Sequence, residues 1–351
     1  MDDLNLDPVP EAFGEPGDLA AAVNRIEARR CFSTLGLGAF VILAAATVMQ
    51  TAASLLLQFA QGAWASESWV MWVLTFAPLY CVAMPVGVLI MRTVPAHRGE
   101  RAPLGAGKLL TAVPICFFLM YAGNYIGILI TSLLGRLKGG EVSNPLESFA
   151  MDDVSILVKI LVMVILAPLA EEFIFRRVLI DRMRIYGEKT AVVTSALMFG
   201  LFHGNLSQFF YAFALGLVFG YIYVKTSSLR YSTLLHMFVN ALGSVVAPYL
   251  LENAGIDKLA ELDASALMSD PETLNALVTP GLLVFAFYAL LLLVLSLLGL
   301  VLLCVNARRI TFAPAARELP RKGRAGIVWG NVGMILLILG CLGMIVLTVL
   351  M

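Results

Sequence analysis

Six residues in this chain combine types and spacings that could do chemistry. Glu171 and Glu172 are adjacent and followed by Arg176; His203 comes four residues after Phe199; His236 comes four residues before Asn240. A carboxylate and a histidine brought together can hold and deprotonate a water molecule. A second histidine and an asparagine amide can donate hydrogen bonds to the oxyanion of a tetrahedral intermediate. Together these steps amount to peptide hydrolysis without a protein nucleophile. The same Glu171, His203 and His236 could instead form a His₂Glu zinc site with an open position for water. Neither histidine lies in HExxH, however, and the amide of Asn240 is a poor zinc ligand. Serine chemistry has little support, because Ser244 after Gly243 lacks the motif of a nucleophile elbow. Cys304 and Cys341 sit in late apolar runs without polar neighbours, so a Cys–His hydrolase is equally weak.

Residues four apart share one face of a helix. His236 and Asn240 therefore project together, as do Phe199 and His203, and Glu172 and Arg176. Adjacent residues are about 100° apart around a helix, so Glu171 and Glu172 divide their labour. Glu172 facing Arg176 reads as an internal ion pair that locks the helix end, leaving Glu171 to face elsewhere. Pro168 cannot donate to the carbonyl of Val164, which predicts a kink one turn before the glutamates and a carbonyl free to bind water. Taken singly, His203 reads as an interfacial or capping residue and His236 with Asn240 as interhelical glue. Taken jointly with the glutamates, they are harder to explain that way. Phe199 reads as packing beside His203.

The elements that must position these groups are membrane helices. The 351 residues are 60% hydrophobic and only 14% charged, with a mean hydropathy of +0.88, which excludes an ordinary soluble domain. Net charge is zero and no basic stretch is interleaved with aromatics, so nucleic acid is not an expected partner. The five cysteines show no CxxC spacing and read as packing residues. Apolar runs long enough to cross about 30 Å of hydrocarbon predict spans at 32–58, 69–91, 109–135, 154–178, 190–203, 207–226, 230–250, 280–305 and 326–350. The fifth is short and polar-ended. The expected fold is an all-α polytopic membrane bundle of eight to nine transmembrane helices.

The expected organisation is a polar N-terminal arm (1–31), N-terminal spans (32–150), a core carrying the polar cluster (151–250), an acidic outer loop (251–279) and C-terminal spans (280–351). The arm lacks the basic start of a signal peptide, and its part from Leu19 to Arg30 could form a short interfacial helix. In the acidic loop, Asp270-Pro271 predicts a surface helix from about 271 to 278. With the N-terminus inside, inner segments hold 20 Lys and Arg and outer loops hold three. That split predicts a cytoplasmic N-terminus and, with nine spans, an external C-terminus. Lys159 lies inside the fourth span, close enough to its outer end to snorkel.

Glu171-Glu172-x-x-x-Arg176, Phe199-x-x-x-His203 and His236-x-x-x-Asn240, in that order on successive helices, resemble the three motifs of the CAAX-protease and bacteriocin-processing (Abi) family of intramembrane proteases, to which the Ras-converting CAAX endopeptidase belongs. All three motifs are complete, and the resemblance covers roughly residues 150–250. It implies an integral membrane endopeptidase in which Glu171 and His203 activate water, His236 and Asn240 stabilise the oxyanion, and Glu172 and Arg176 support the architecture. It further implies a glutamate-dependent mechanism without a cofactor, with zinc as the alternative. The implied partners are membrane lipids and a peptide or protein substrate, possibly lipid-modified, in a bacterial cell membrane. The competing class is a non-catalytic scaffold or bacteriocin-immunity protein that uses the same cluster for binding.

The expected cavity opens toward the cytoplasmic leaflet. The predicted span limits place Glu171 and His236 about 9–10 Å from the inner surface but His203 about 20 Å from it, counting about 1.5 Å per residue. The site closes only if the fifth span starts in the cytosol or is strongly tilted.

Overall fold

The computed structural model describes residues 16–59, 64, 67–255 and 279–350; the predicted helix at 271–278 lies outside them. Among the described residues every regular element is helical. In chain order they are α1 Pro16–Leu57, α2 Ser68–Met91, α3 Ala106–Lys138, the short α4 Pro145–Met151, α5 over 156–183, α6 Glu188–Phe202, α7 Leu206–Thr226, α8 Leu229–Asn253, α9 Pro280–Asn306, the short α10 Arg324–Trp329 and α11 Val332–Leu350. Seven of these are long and apolar enough to cross a membrane: α1, α2, α3, α7, α8, α9 and α11, of which α2 and α8 each contain a π-type stretch, at Pro78–Ala83 and Ala241–Val246. The predicted spans at 154–178 and 190–203 are also helical. The first is broken by wide, π-type turns at Ile160–Leu166 and Phe173–Ile180, and the second is 15 residues long.

Two boundaries differ from the sequence expectation. The segment Leu19–Arg30 is not a separate interfacial helix; it is continuous with the first span in α1. Ala28 and Phe32 are fully buried and anchor this part of α1 in the core, so the helix has no reason to break there. At its other end α5 runs past the expected limit of 178, because Leu179, Ile180 and Met183 are also fully buried and continue the packing face.

α1 packs against α2 and α11, while α3 packs against α7 and α9, and α6 against α7. Close approach in the second group depends on small residues: a Cβ on Gly123 of α3 would lie 2.5 Å from Tyr211 Cα on α7. A tight turn joins α5 to α6 at Gly187, whose φ of +126° is open only to glycine at low cost. Over this turn lies the segment after α9. Arg317 N donates to Ile185 O at 3.1 Å, Leu319 N to Tyr186 O at 3.2 Å, and Ala313 N to Glu188 Oε2 at 2.8 Å. Glu188 is held in turn by Arg184 at 2.7 Å. The end of the bundle that carries most of the arginines is thereby closed.

Candidate active site

Glu172 and Arg176 form a buried pair, both with no exposed surface. Arg176 Nε donates to Glu172 Oε2 at 3.1 Å and Nη2 to Oε1 at 3.2 Å. The third arm, Nη1, donates to Ser195 Oγ at 3.2 Å, and Ser195 donates onward to the Phe175 carbonyl at 2.5 Å. The guanidinium also sits 5.0 Å from the Phe199 ring centroid and 5.8 Å from that of Phe219. A desolvated ion pair is tolerable only when its remaining polar groups are satisfied, and this one meets that condition. The i,i+4 expectation for these two residues matches the geometry.

Glu172 has a further contact that the spacing did not reveal. His236 Nδ1 lies 3.3 Å from Glu172 Oε1, the oxygen that also accepts from Arg176 Nη2. The other ring nitrogen, Nε2, lies 3.6 Å from Glu171 Oε2. The imidazole is stacked on Phe219 (5.2 Å between centroids, 29° between planes) and meets Phe199 edge-on at 5.8 Å. Two carboxylates and one arginine thus surround one histidine, with Glu172 at hydrogen-bond distance and Glu171 just beyond it.

His203 ends α6. Its Nδ1 donates to the Phe199 carbonyl at 2.8 Å, which fixes the tautomer and leaves Nε2 as an acceptor. The expected mismatch in depth disappears because α5 continues to Met183. Glu171 and His203 each stand sixteen residues from Gly187 on neighbouring helices, which is about 24 Å at about 1.5 Å per residue. Neither an extended cytosolic start nor an extreme tilt is needed.

Asn240 Nδ2 donates to the carbonyl of Met163 at 2.9 Å. In the π-type turn before Pro168, bonds run from residue i to i−5: Ala167 N–H reaches Val162 O. The next donor in that series would serve Met163, but it belongs to Pro168, which has no N–H. The carbonyl released is therefore that of Met163 rather than that of Val164, and an amide proton of Asn240 takes it in place of water. The second amide proton stays free.

Glu171, His203, His236 and Asn240 all line one cavity of about 570 Å³, while Glu172 and Arg176 stand behind its wall. The cavity also has a polar edge that the sequence reading passed over. Asn205 accepts from Gln208 N at 2.9 Å as the cap of α7 and donates to Gln208 Oε1 at 2.8 Å, and Gln208 Nε2 donates to the Tyr211 hydroxyl at 2.9 Å. The Asn-x-x-Gln spacing at the start of a span was the available signal. Phe199 packs edge-on beside His203 as expected, at 5.0 Å between centroids, and also touches His236, Phe175 and Arg176.

On the side toward Gly187 the helices are sealed by Phe175, Leu179, Phe219 and Tyr223, each 2% exposed or less. Lys159 donates to the Ala150 carbonyl of α4 at 2.8 Å, near the opposite end. Among the described residues no group of three His, Cys, Asp or Glu side chains gathers closely enough to hold a metal ion. Each histidine turns Nδ1 to a protein acceptor, and Nε2 of His236 lies 3.6 Å from Glu171 Oε2.

The comparisons with known proteins bear on this same segment. Residues 153–242 match the family model described as Rce1-like, type II CAAX prenyl endopeptidase Rce1-like. The chain is 26% identical over 190 residues to "Putative membrane peptidase YdiL" of Bacillus subtilis (strain 168), covering 52% of this chain and 70% of that protein. It is 29% identical over 143 residues to "Membrane-embedded CAAX protease MroQ" of Staphylococcus aureus (strain USA300), covering 39% of this chain and 56% of that protein. No solved structure matches the chain significantly.

Proposed function

We propose, from the match of residues 153–242 to the Rce1-like family model, that this integral membrane protein is an endopeptidase that hydrolyses a peptide bond with a water activated by Glu171 and His203. Glu171 takes a proton from the water as its oxygen attacks the scissile carbonyl, and His203 Nε2 orients the water by accepting its second hydrogen. The tetrahedral oxyanion is met by Nε2–H of His236 and by the free amide proton of Asn240. The C–N bond then breaks as the proton held on Glu171 passes to the departing amine, leaving a carboxylic acid and a free amine. Glu172 works behind the wall: paired with Arg176, it holds Nδ1 of His236 and so orients the ring.

The observation that carries the reading is the double approach to His236, 3.3 Å from Glu172 and 3.6 Å from Glu171, at the edge of a cavity shared with His203 and Asn240. Structural glue would not need a second, partly exposed carboxylate facing open space. In this scheme the chain's own residues carry every proton transfer. The test is to incubate the purified protein in proteoliposomes with a peptide library and to read new termini by mass spectrometry. New cleavage products that vanish in Glu171→Gln support the endopeptidase. Unchanged peptides with the parent protein, or cleavage that persists in Glu171→Gln, return the cluster to a scaffold or immunity role.

A further inference from the structure

The cavity is placed asymmetrically along the bundle. Met84, Phe175 and His236 lie nearer the basic end, and the other lining residues occupy the middle of a helix or the half remote from it, among them Gln50 in α1, Asn124 in α3, His203 at the last turn of α6, Gln208 at the first turn of α7 and Ala247 in α8. Pro145 and Phe149 of α4, which belong to the connection between α3 and α5 at that remote end, also line it. Toward the other end the chain is closed twice. A fully packed layer includes Leu35, Met91, Leu179 and Met183, each with no exposed surface, and beyond it the segment 313–319 is hydrogen-bonded across the Gly187 turn.

The closed end carries the basic residues. The connections that meet there, from Arg92 to Lys108, Arg176 to Lys189, Lys225 to Arg230 and Arg308 to Arg324, together with the start of α1, hold 20 of the 24 Lys and Arg. Such an excess marks the cytoplasmic side. From these two observations, we infer that the cavity opens to the extracytoplasmic side, and that its substrate is a peptide segment already exposed there. A translocated peptide or the outer part of a membrane-anchored protein fits; a tail presented from the cytosol does not. This inference rests on the endopeptidase reading for the word substrate, but the direction of access stands on geometry and charge alone.

Thiol labelling from one side of the membrane tests it. In a background where the two exposed cysteines are replaced (Cys81→Ala and Cys304→Ala), Asn124→Cys and Ala247→Cys each report on the cavity, and having two positions guards against one that fails to fold. Gly140→Cys reports on the outer connection and Arg309→Cys on the inner one. Spheroplasts are treated with a membrane-impermeant maleimide, with and without permeabilisation. The expected result is labelling of Asn124→Cys, Ala247→Cys and Gly140→Cys in intact spheroplasts, with Arg309→Cys labelled only after permeabilisation. Cavity cysteines that react only after permeabilisation, or in neither condition, overturn the inference, as does exchange of the two loop controls. The same labelling in Glu171→Gln needs no activity, so outward labelling without any peptide cleavage keeps the access and removes the protease, and cleavage with inward labelling does the reverse.

Discussion

Oε1 of Glu172 is shared by Arg176 Nη2 at 3.2 Å and His236 Nδ1 at 3.3 Å, while its Oε2 accepts from Arg176 Nε at 3.1 Å. A residue expected only to neutralise its i+4 neighbour therefore also orients the ring that faces Glu171. Glu172→Ala should be affected in two ways. Leaving Arg176 buried without a partner costs about 3–5 kcal/mol by the usual behaviour of broken buried pairs, read as a large drop in thermal unfolding temperature in detergent. Activity should fall as well, because His236 loses its orienting acceptor. A variant as stable as the parent yet inactive would mean that the two glutamates had been assigned the wrong way round.

Ser195 separates packing from chemistry. It bridges Arg176 Nη1 and the Phe175 carbonyl but does not line the cavity. Ser195→Ala should lower stability by about 1–3 kcal/mol, the range for leaving buried groups without a partner, while cleavage at a permissive temperature stays within a few-fold of the parent. Thermal melts beside cleavage rates check both halves. Loss of cleavage with an unchanged melting temperature would place Ser195 nearer the chemistry than its position allows.

Asn240 carries two duties that a second substitution can pull apart. Asn240→Ala should cost about 1–3 kcal/mol by orphaning the Met163 carbonyl, and about 10²–10³ in cleavage rate by removing an oxyanion donor. Adding Pro168→Ala supplies the backbone N–H missing from the π-type turn, which can take over the Met163 carbonyl. The double variant should recover stability and stay slow. Recovery of both quantities together would reduce Asn240 to a structural tie.

Metal dependence has its own check. In the proposed scheme Glu171 and His203 activate the water themselves, so treatment with 1,10-phenanthroline followed by gel filtration should leave the cleavage rate unchanged. A loss reversed specifically by added zinc would replace the water-activation scheme with a His₂Glu site.

Several parts of this arrangement were legible in the sequence because they depend on helical periodicity and transfer energetics. Four-residue spacing paired Glu172 with Arg176 and set Asn240 one turn beyond His236, and apolar runs located the helices. The rest depends on packing that periodicity does not encode. α5 ends at Met183 because residues after 178 find buried partners, and that extension alone brings Glu171 level with His203. The π-type turns shift the orphaned carbonyl from Val164 to Met163 by one residue, a change invisible to an i−4 count. The docking of 313–319 over the Gly187 turn joins segments more than a hundred residues apart and has no local signature. The direction in which the cavity opens is likewise a property of which helix halves fill with large side chains.

The central claim is that the carboxylate of Glu171 activates the water, and the most direct measurement is the cleavage rate of Glu171→Gln against the parent on one peptide, at matched folding by thermal melt. Glutamine keeps the size and the polar contacts but cannot take the proton. The account predicts a fall of at least about 10²-fold, the lower range for loss of a general base, with an unchanged melting temperature. Cleavage by Glu171→Gln at the parent rate would contradict it.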